Sequence, residues 1–282
     1  MPDVAGARGS RRLWSVALVV LALIWLIPIV WMTSLALQPN DLLARTTSNV
    51  AWGLVPWPFT LDNLAYVLGS GLTPRWFLNS VIVAGGMTFA VLATASLAGY
   101  AFARIPFPGK RVLFPLVLAG LVIPEQAVFI PLYTQFAEWG WHNGYLALIA
   151  PRVAVPLGVF LMTQFFRGIP TYLDEAASLD GADRWTIFTR ILLPLSRPAL
   201  TTLAILTFLY AWNDYLWPLV SASRPEMFTI TLGLASLQSN FAQSEGLGRV
   251  MASGVLASLP VVLLFLIFQR HVVRGIAMGS GK

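Results

Sequence analysis

Apolar positions in this chain come in long blocks separated by shorter polar stretches. Six blocks stand out, at roughly 13–37, 76–103, 112–135, 145–166, 198–221 and 250–269. Each reaches the ~20 residues that a helix needs to cross about 30 Å of hydrocarbon at 1.5 Å per residue. The pattern predicts an all-α polytopic membrane protein with six transmembrane helices, forming a single transmembrane domain over residues 1–282. Neither a soluble second domain nor an internal repeat is read from it. Pro28, Pro115, Pro124, Pro131, Pro156 and Pro260 fall inside the blocks. A proline frees a carbonyl that lipid cannot satisfy, so these positions predict kinks supported by neighbouring helices. Ala95 and Gly99, four apart, predict a close helix approach.

Composition agrees with the blocks. Hydrophobic residues make up 57% of the 282 and charged residues 11%, and the mean hydropathy is +0.73. A soluble domain carries about 25% charged residues, so most of this surface faces something other than water. The net charge of +6 does not point to nucleic acid, because the basic residues sit in short clusters at the ends of apolar blocks. They read instead as topology signals.

With the N-terminus inside, inner segments hold Arg8, Arg11, Arg12, Arg104, Lys110, Arg111, Arg167, Arg184, Arg190, Arg197, Arg270, Arg274 and Lys282. Outer segments hold Arg45, Arg75, Arg224 and Arg249, and Arg152 is left inside a span. Both termini and the 168–197 loop are therefore expected in the cytoplasm. The first block is too long for the ~7–15-residue apolar core of a signal peptide and lacks a small-residue cleavage site, so it is read as a retained helix. Trp52, Trp57 and Trp76, in or beside the outer loop at 38–75, suit an interfacial belt. Cysteine is absent, which removes disulfides and thiolate metal sites.

The polar stretch at about 168–197 is more than a connector, because it has helical patterning of its own. Gly168-Ile169-Pro170 ends the fourth block. Thr171 is the expected N-cap, with Asp174 and Glu175 in the following turn, where the helix dipole favours acids. Leu173, Ala176, Ala177 and Leu179 give the short helix a small apolar side. Gly181 breaks it, supplying either a positive φ or a close approach. A second short helix is predicted near Asp183–Thr189, carrying Trp185, Ile187 and Phe188, and Pro194 and Pro198 bound the start of the fifth span. Such an element fits the cleft of a soluble partner, with Glu175 placed for a charge-assisted hydrogen bond. The plain alternative is a helix lying passively on the bilayer.

The spacing E-A-A-x3-G-x9-I-x-L-P is carried here by Glu175, Ala176, Ala177, Gly181, Ile191, Leu193 and Pro194. It resembles the cytoplasmic loop by which permease subunits of ABC importers engage their ATPase. The segments Ala211–Leu216 and Thr229–Leu234, with Leu259-Pro260, Gln269-Arg270 and Arg274-Gly275 near the end, resemble carbohydrate importer permeases of the maltose-transporter inner-subunit type. The resemblance implies a type I ABC importer (MetI-like) permease fold in a bacterial inner membrane. It also implies a second homologous permease as partner, two ATPase subunits, and an extracytoplasmic solute-binding protein. ATP and Mg are expected on the ATPase and no cofactor on this chain. The implied solute is a sugar, oligosaccharide or glycerol-phosphate-like molecule. The resemblance further implies that Val273–Lys282 reaches the ATPase dimer and that about Ser236–Gly248 touches the binding protein.

Polar residues within spans are the candidates for the solute pathway. Glu125 and Gln126 follow Pro124 near mid-depth of the third span, where a carboxylate is costly and faces a cavity or a partner. Trp212, Asn213, Asp214 and Tyr215 in the fifth span carry the hydrogen-bonding and stacking chemistry that holds a sugar. For all six, helix–helix packing is the alternative. Enzyme chemistry is disfavoured: His142 and His271 lie in loops or at a span end, there is no HExxH pattern, and Gly279-Ser280-Gly281-Lys282 lacks the spacing of a phosphate loop. The rival reading is a self-sufficient secondary carrier or channel, for which only Glu125, Arg152 and Asp214 could serve as coupling residues.

Overall fold

The structure, a computed structural model, describes residues 4–45, 55, 57–69, 71–236 and 246–279, with the side chains of 4–13, 44–45 and 269–279 outside that description. Trp52, the loop 237–245 and the last residues, 280–282, fall outside it too. So do the side chains of the tail expected to reach the ATPase. Among the described residues every regular element is helical. In chain order these are α1 (Val4–Ala36), α2 (Asn40–Arg45), α3 (Asp62–Gly69), α4 (Thr73–Arg104), α5 (Lys110–Ala119), α6 (Glu125–Glu138), α7 (Tyr145–Ile149) and α8 (Pro156–Gly168). They continue with α9 (Tyr172–Leu179), α10 (Arg184–Thr186), a π-helical segment (Ile187–Leu192), α11 (Leu193–Leu195), α12 (Arg197–Trp212), α13 (Leu216–Ser221), α14 (230–236) and α15 (Leu247–Gly279).

Three stretches, Trp14–Ala36, Thr73–Arg104 and Leu247–Phe268, are continuous helices long and apolar enough to cross a membrane. The other predicted blocks are broken. The block at 145–166 is α7, a 3₁₀ turn at Ala150–Arg152, and α8, bent by 51°. Pro151 and Pro156 remove amide donors on both sides of that bend. The block at 112–135 is α5 and α6 with residues 120–124 between them, so neither helix is long enough alone: they have 10 and 14 residues. Pro124, extended at φ −61° and ψ 129°, starts α6 without a side-chain cap. The block at 198–221 is α12 followed by α13, with the chain unwound at 213–215.

The chain divides into two compact units, Met1–Pro74 with Leu234–Leu259, and Arg75–Gly233 with Pro260–Lys282. In the first, Ala36, Val67 and Ala252 form a small buried core with Leu64, Met251 and Val255. Asn63 is buried and donates to the carbonyls of Ala36 (3.0 Å) and Gln38 (2.7 Å), satisfying the end of α1. The Arg249 guanidinium lies 3.6 Å from the centre of the Tyr66 ring, a cation–π contact.

In the second unit α4 supplies the spine. Ala84, Met87, Val91 and Ala95 are nearly inaccessible and share one helical face. Gly99 continues that face against α8. A Cβ there would stand 2.7 Å from Met162 Cβ and 3.0 Å from the Thr163 amide, and Gly158 meets Ala95 in the same way at 3.1 Å. The close approach predicted from Ala95 and Gly99 is therefore made by backbones in contact.

Trp76 departs from the interfacial belt. It is 3% exposed, its indole donates to Pro225 O at 2.7 Å, and Gly233 has no room for a Cβ beside the ring. Trp57, 85% exposed, keeps the exposure that a belt residue needs. Asn79 fixes the same corner, donating to Glu226 O and Phe228 O and accepting from the Tyr145 hydroxyl.

Candidate functional site

The 168–197 loop is exposed in front and tied from behind. α9 buries none of its residues. Glu175, Ala176 and Gly181 are exposed, Ala177 is half-buried, and Leu179 is 90% exposed. Tyr172 and Trp185 add two exposed aromatic rings. Behind them, the ion pair of Arg104 Nε with Asp174 Oδ2, 3.0 Å long, joins α4 to α9, and Arg104 Nη2 donates to Ile169 O. The Tyr100 hydroxyl donates to Arg184 O at 3.1 Å, and its ring stacks on Phe188 at 5.0 Å and meets Phe166 edge-on. Tyr100 and Arg104 are four apart on α4 and so share a face. That spacing was the available signal for this anchor, which the sequence reading missed.

Local geometry explains why the chain takes this path. Thr171 does not cap α9 with its side chain. Its carbonyl accepts from the Asp174 and Glu175 amides instead. At the other end Gly181 N bonds Ser178 O, and Ala182 N bonds Ala177 O, a Schellman arrangement closed by Gly181 at φ +83°. Nothing lies within 4 Å of a Cβ built there, so the glycine is required for its φ and not for space. Asp183 caps the next helix, its Oδ1 accepting from Thr186 N at 2.8 Å. The predicted second helix then runs on through the π-helical segment, burying Ile187, Phe188 and Leu192, and turns by 75° into α12 after Leu195. Ile191, Leu193 and Pro194 sit just before that turn, with Ile191 and Leu193 half-buried and Pro194 exposed.

Two acids of this loop are pulled in opposite directions. Burial pushes the Asp174 carboxyl above the usual carboxylate range, with Arg104 opposing the rise and Glu175 adding to it. Hydrogen bonds from Thr186, side chain first and then backbone, hold Asp183 below that range.

The second cluster lies inside the broken helices. Glu125, Arg152 and Asp214, the three ionisable residues singled out within the spans, are joined to one another. Arg152 Nε donates to Glu125 Oε1 at 2.5 Å, Nη2 to the same oxygen, and Nη1 to Asp214 Oδ2. Tyr210, which the sequence reading passed over, accepts from Arg152 and donates to Glu125 Oε2, and the guanidinium stands 4.7 Å from its ring centre. Its place four residues before Asp214 was the available clue. Glu125, Arg152 and Tyr210 line a cavity of about 550 Å³ whose remaining walls, among them Phe129 and Leu203, are largely apolar. That volume lies within the ~300–1,000 Å³ of small-molecule sites.

The other predicted pathway residues flank the cluster in the chain without bonding into it. Gln126 and Tyr215 are exposed. Asn213 is exposed and donates to Leu209 O of its own helix at 2.8 Å. Trp212 is buried, stacked on Phe208 and edge-on to Phe77. The 229–234 segment closes on this region through Thr231, whose hydroxyl donates to Asp214 O at 2.6 Å.

Residues 92–278 match the model of the family described as the binding-protein-dependent transport system inner membrane component. The chain belongs to that family. It is a multi-pass inner-membrane transport component, a permease subunit and not an enzyme. The permease is 34% identical to the arabinooligosaccharides transport system permease protein AraQ of Halalkalibacterium halodurans, over 93% of each chain. It is also 34% identical to the trehalose/maltose transport system permease protein MalG of Thermococcus litoralis, over 97% of each. Its fold matches a chain of a bacterial ABC transporter involved in the import of the acidic polysaccharide alginate, with a TM-score of 0.82 at 20% identity, over 95% of the permease and 98% of that chain. The permease therefore has the MetI-like fold of type I ABC importers.

Proposed function

We propose that this permease forms half of the translocation pathway for a sugar, oligosaccharide or glycerol-phosphate-like solute, beside a second homologous permease. Two ATPase subunits, holding the ATP and Mg, grip the 168–197 loop from the cytoplasm, and a binding protein delivers solute outside. Both termini face the cytoplasm, as the excess of Lys and Arg in the inner segments favours. The similarity to AraQ and MalG, whose names specify oligosaccharides and disaccharides, supports a carbohydrate.

The observation that carries the coupling role is the build of the loop. A short helix with Glu175 and Leu179 outward is fixed to α4 by Arg104, and α10 after it is fixed to α4 by Tyr100, so force applied in front is passed to the spans. Glu175, Ala176, Ala177, Gly181, Ile191, Leu193 and Pro194 are the coupling residues in this reading. Glu125, Gln126, Asn213, Asp214 and Tyr215 offer polar groups to the solute, and Trp212 backs them from the packed side.

The test is the complete importer in proteoliposomes, offered maltose, trehalose and arabinotriose. Glu175→Lys with Gly181→Leu should abolish ATP-driven uptake and ATPase capture while membrane insertion persists. Full uptake by that variant would overturn the coupling role. Flux through the permease alone, without ATPase, would identify a self-sufficient carrier instead.

A further inference from the structure

Each member of the charged cluster stands where a helix stops. Glu125 is the first residue of α6, directly after the break at 120–124. Arg152 closes the 3₁₀ turn in the 51° bend between α7 and α8. Asp214 lies between the end of α12 and the start of α13. One guanidinium therefore ties three helix discontinuities, using all three of its nitrogens. Tyr210, in the last turn of α12, closes the ring between Arg152 and Glu125. The planar fork is what makes this possible: a lysine ammonium is a point charge on a flexible stem and does not hold fixed directions. At its opposite end α12 meets the 75° turn, beyond which lie Ile191, Leu193 and Pro194.

We propose that Arg152 is a positioning residue for transport. It makes the three breaks move as one joint, so that displacement of the 184–195 segment passes along α12 to α6 and α8. The proposal rests on the ATPase-driven reading above and adds a residue and a role that the loop motif does not contain. A salt bridge that merely stabilises is replaceable by neutral groups of similar shape. A joint is not, because neutral groups do not hold the same directional bonds through a displacement.

The chain has no cysteine of its own, which makes site-specific labelling clean. Single cysteines replace the exposed Ser178 on α9 and the exposed Thr134 on α6. Each carries an environment-sensitive fluorophore in the complete importer, with the other subunits free of cysteine. ATP should shift both signals in the otherwise unmodified importer. With Arg152→Met the α9 response should persist while the α6 response is lost, and uptake should fall about tenfold with ATP hydrolysis retained, within the reach of coupling mutations.

Arg152→Lys, which keeps the charge and loses the fork, should show the same loss of the α6 response. So should the neutral set Glu125→Gln, Arg152→Met and Asp214→Asn, which leaves no charge unpaired and guards against simple misfolding. An α6 response of native size in the neutral set would overturn the joint, as would failure of every variant to assemble, which would mark the cluster as structural only. An α9 label silent to ATP in the unmodified importer would bring down the ATPase-driven reading, and this proposal with it.

Discussion

The loop at 168–197 and the cluster around Arg152 both set charge against an apolar background, and they orient it differently. In the loop, Arg104 and Asp174 pair at the rear, so the front is left to Glu175, Leu179, Trp185 and Tyr172. In the cluster, Glu125, Asp214 and Tyr210 all turn onto Arg152, whose side chain is only 11% exposed. A surface that takes up a partner, the role proposed for this loop, needs its contact groups open and its braces hidden. A charge held among apolar helices is costly and so pairs within the chain or faces a cavity, and Glu125, on the cavity wall, does both.

The sharpest way to break that comparison is to remove the centre of the cluster. Arg152→Met strands two carboxylates, and about 3–5 kcal/mol of stability should be lost. The neutral triple set should recover most of it, read as the unfolding temperature of the detergent-solubilised permease. Equal losses in both would mean that packing, not charge, holds this region.

On the loop side, Arg104→Met should cost about 2 kcal/mol, less than in the spans because it strands one carboxylate, Asp174, where Arg152→Met strands two. Hydrogen exchange across 172–179 would report it, and adding Asp174→Asn should restore much of the protection.

The smallest effect is a dependence on pH. Asp183, with its carboxyl held low, contributes stability that is present above the usual carboxylate value and fades as pH falls through its lowered one. Asp174, raised by burial, has the opposite sign: its share is complete below the usual value and fades as pH rises through the raised one. Asp183→Asn should flatten the first trend and Asp174→Asn the second, each followed by exchange protection of the loop in acid titrations.

Local features were legible in the sequence wherever neighbouring residues decide them. Gly181 announces a reversal, and the structure selects the positive φ from the two reasons considered. The block pattern locates the long helices, and Pro124 and Pro156 foreshadow the breaks at the third and fourth. The size of the gap at 120–124 was not legible, because a proline reads as a kink whether the chain bends or unwinds. The N-cap expected of Thr171 fails for a related reason, since backbone bonds alone close that turn.

The cluster is the clearest case of what a linear reading lacks. Glu125, Arg152 and Asp214 each stand out as costly in a span. Their pairing across 27 and 62 positions depends on how three broken helices converge. Tyr210 and Tyr100 were hidden because an aromatic among apolar residues looks like ordinary packing until its hydroxyl is seen to have a partner.

The 75° turn after Leu195 gives the permease a crank, with Arg184–Leu195 as the short arm and α12 as the long one. Sixteen residues at 1.5 Å give that arm a length of ~24 Å, so a tilt of about 5° sweeps its far end through roughly 2 Å. A hydrogen bond does not survive such a stretch. A rocking of the short arm too slight to alter its own fold is therefore enough to part Asp214 from Arg152, unless everything bound to that guanidinium travels with it.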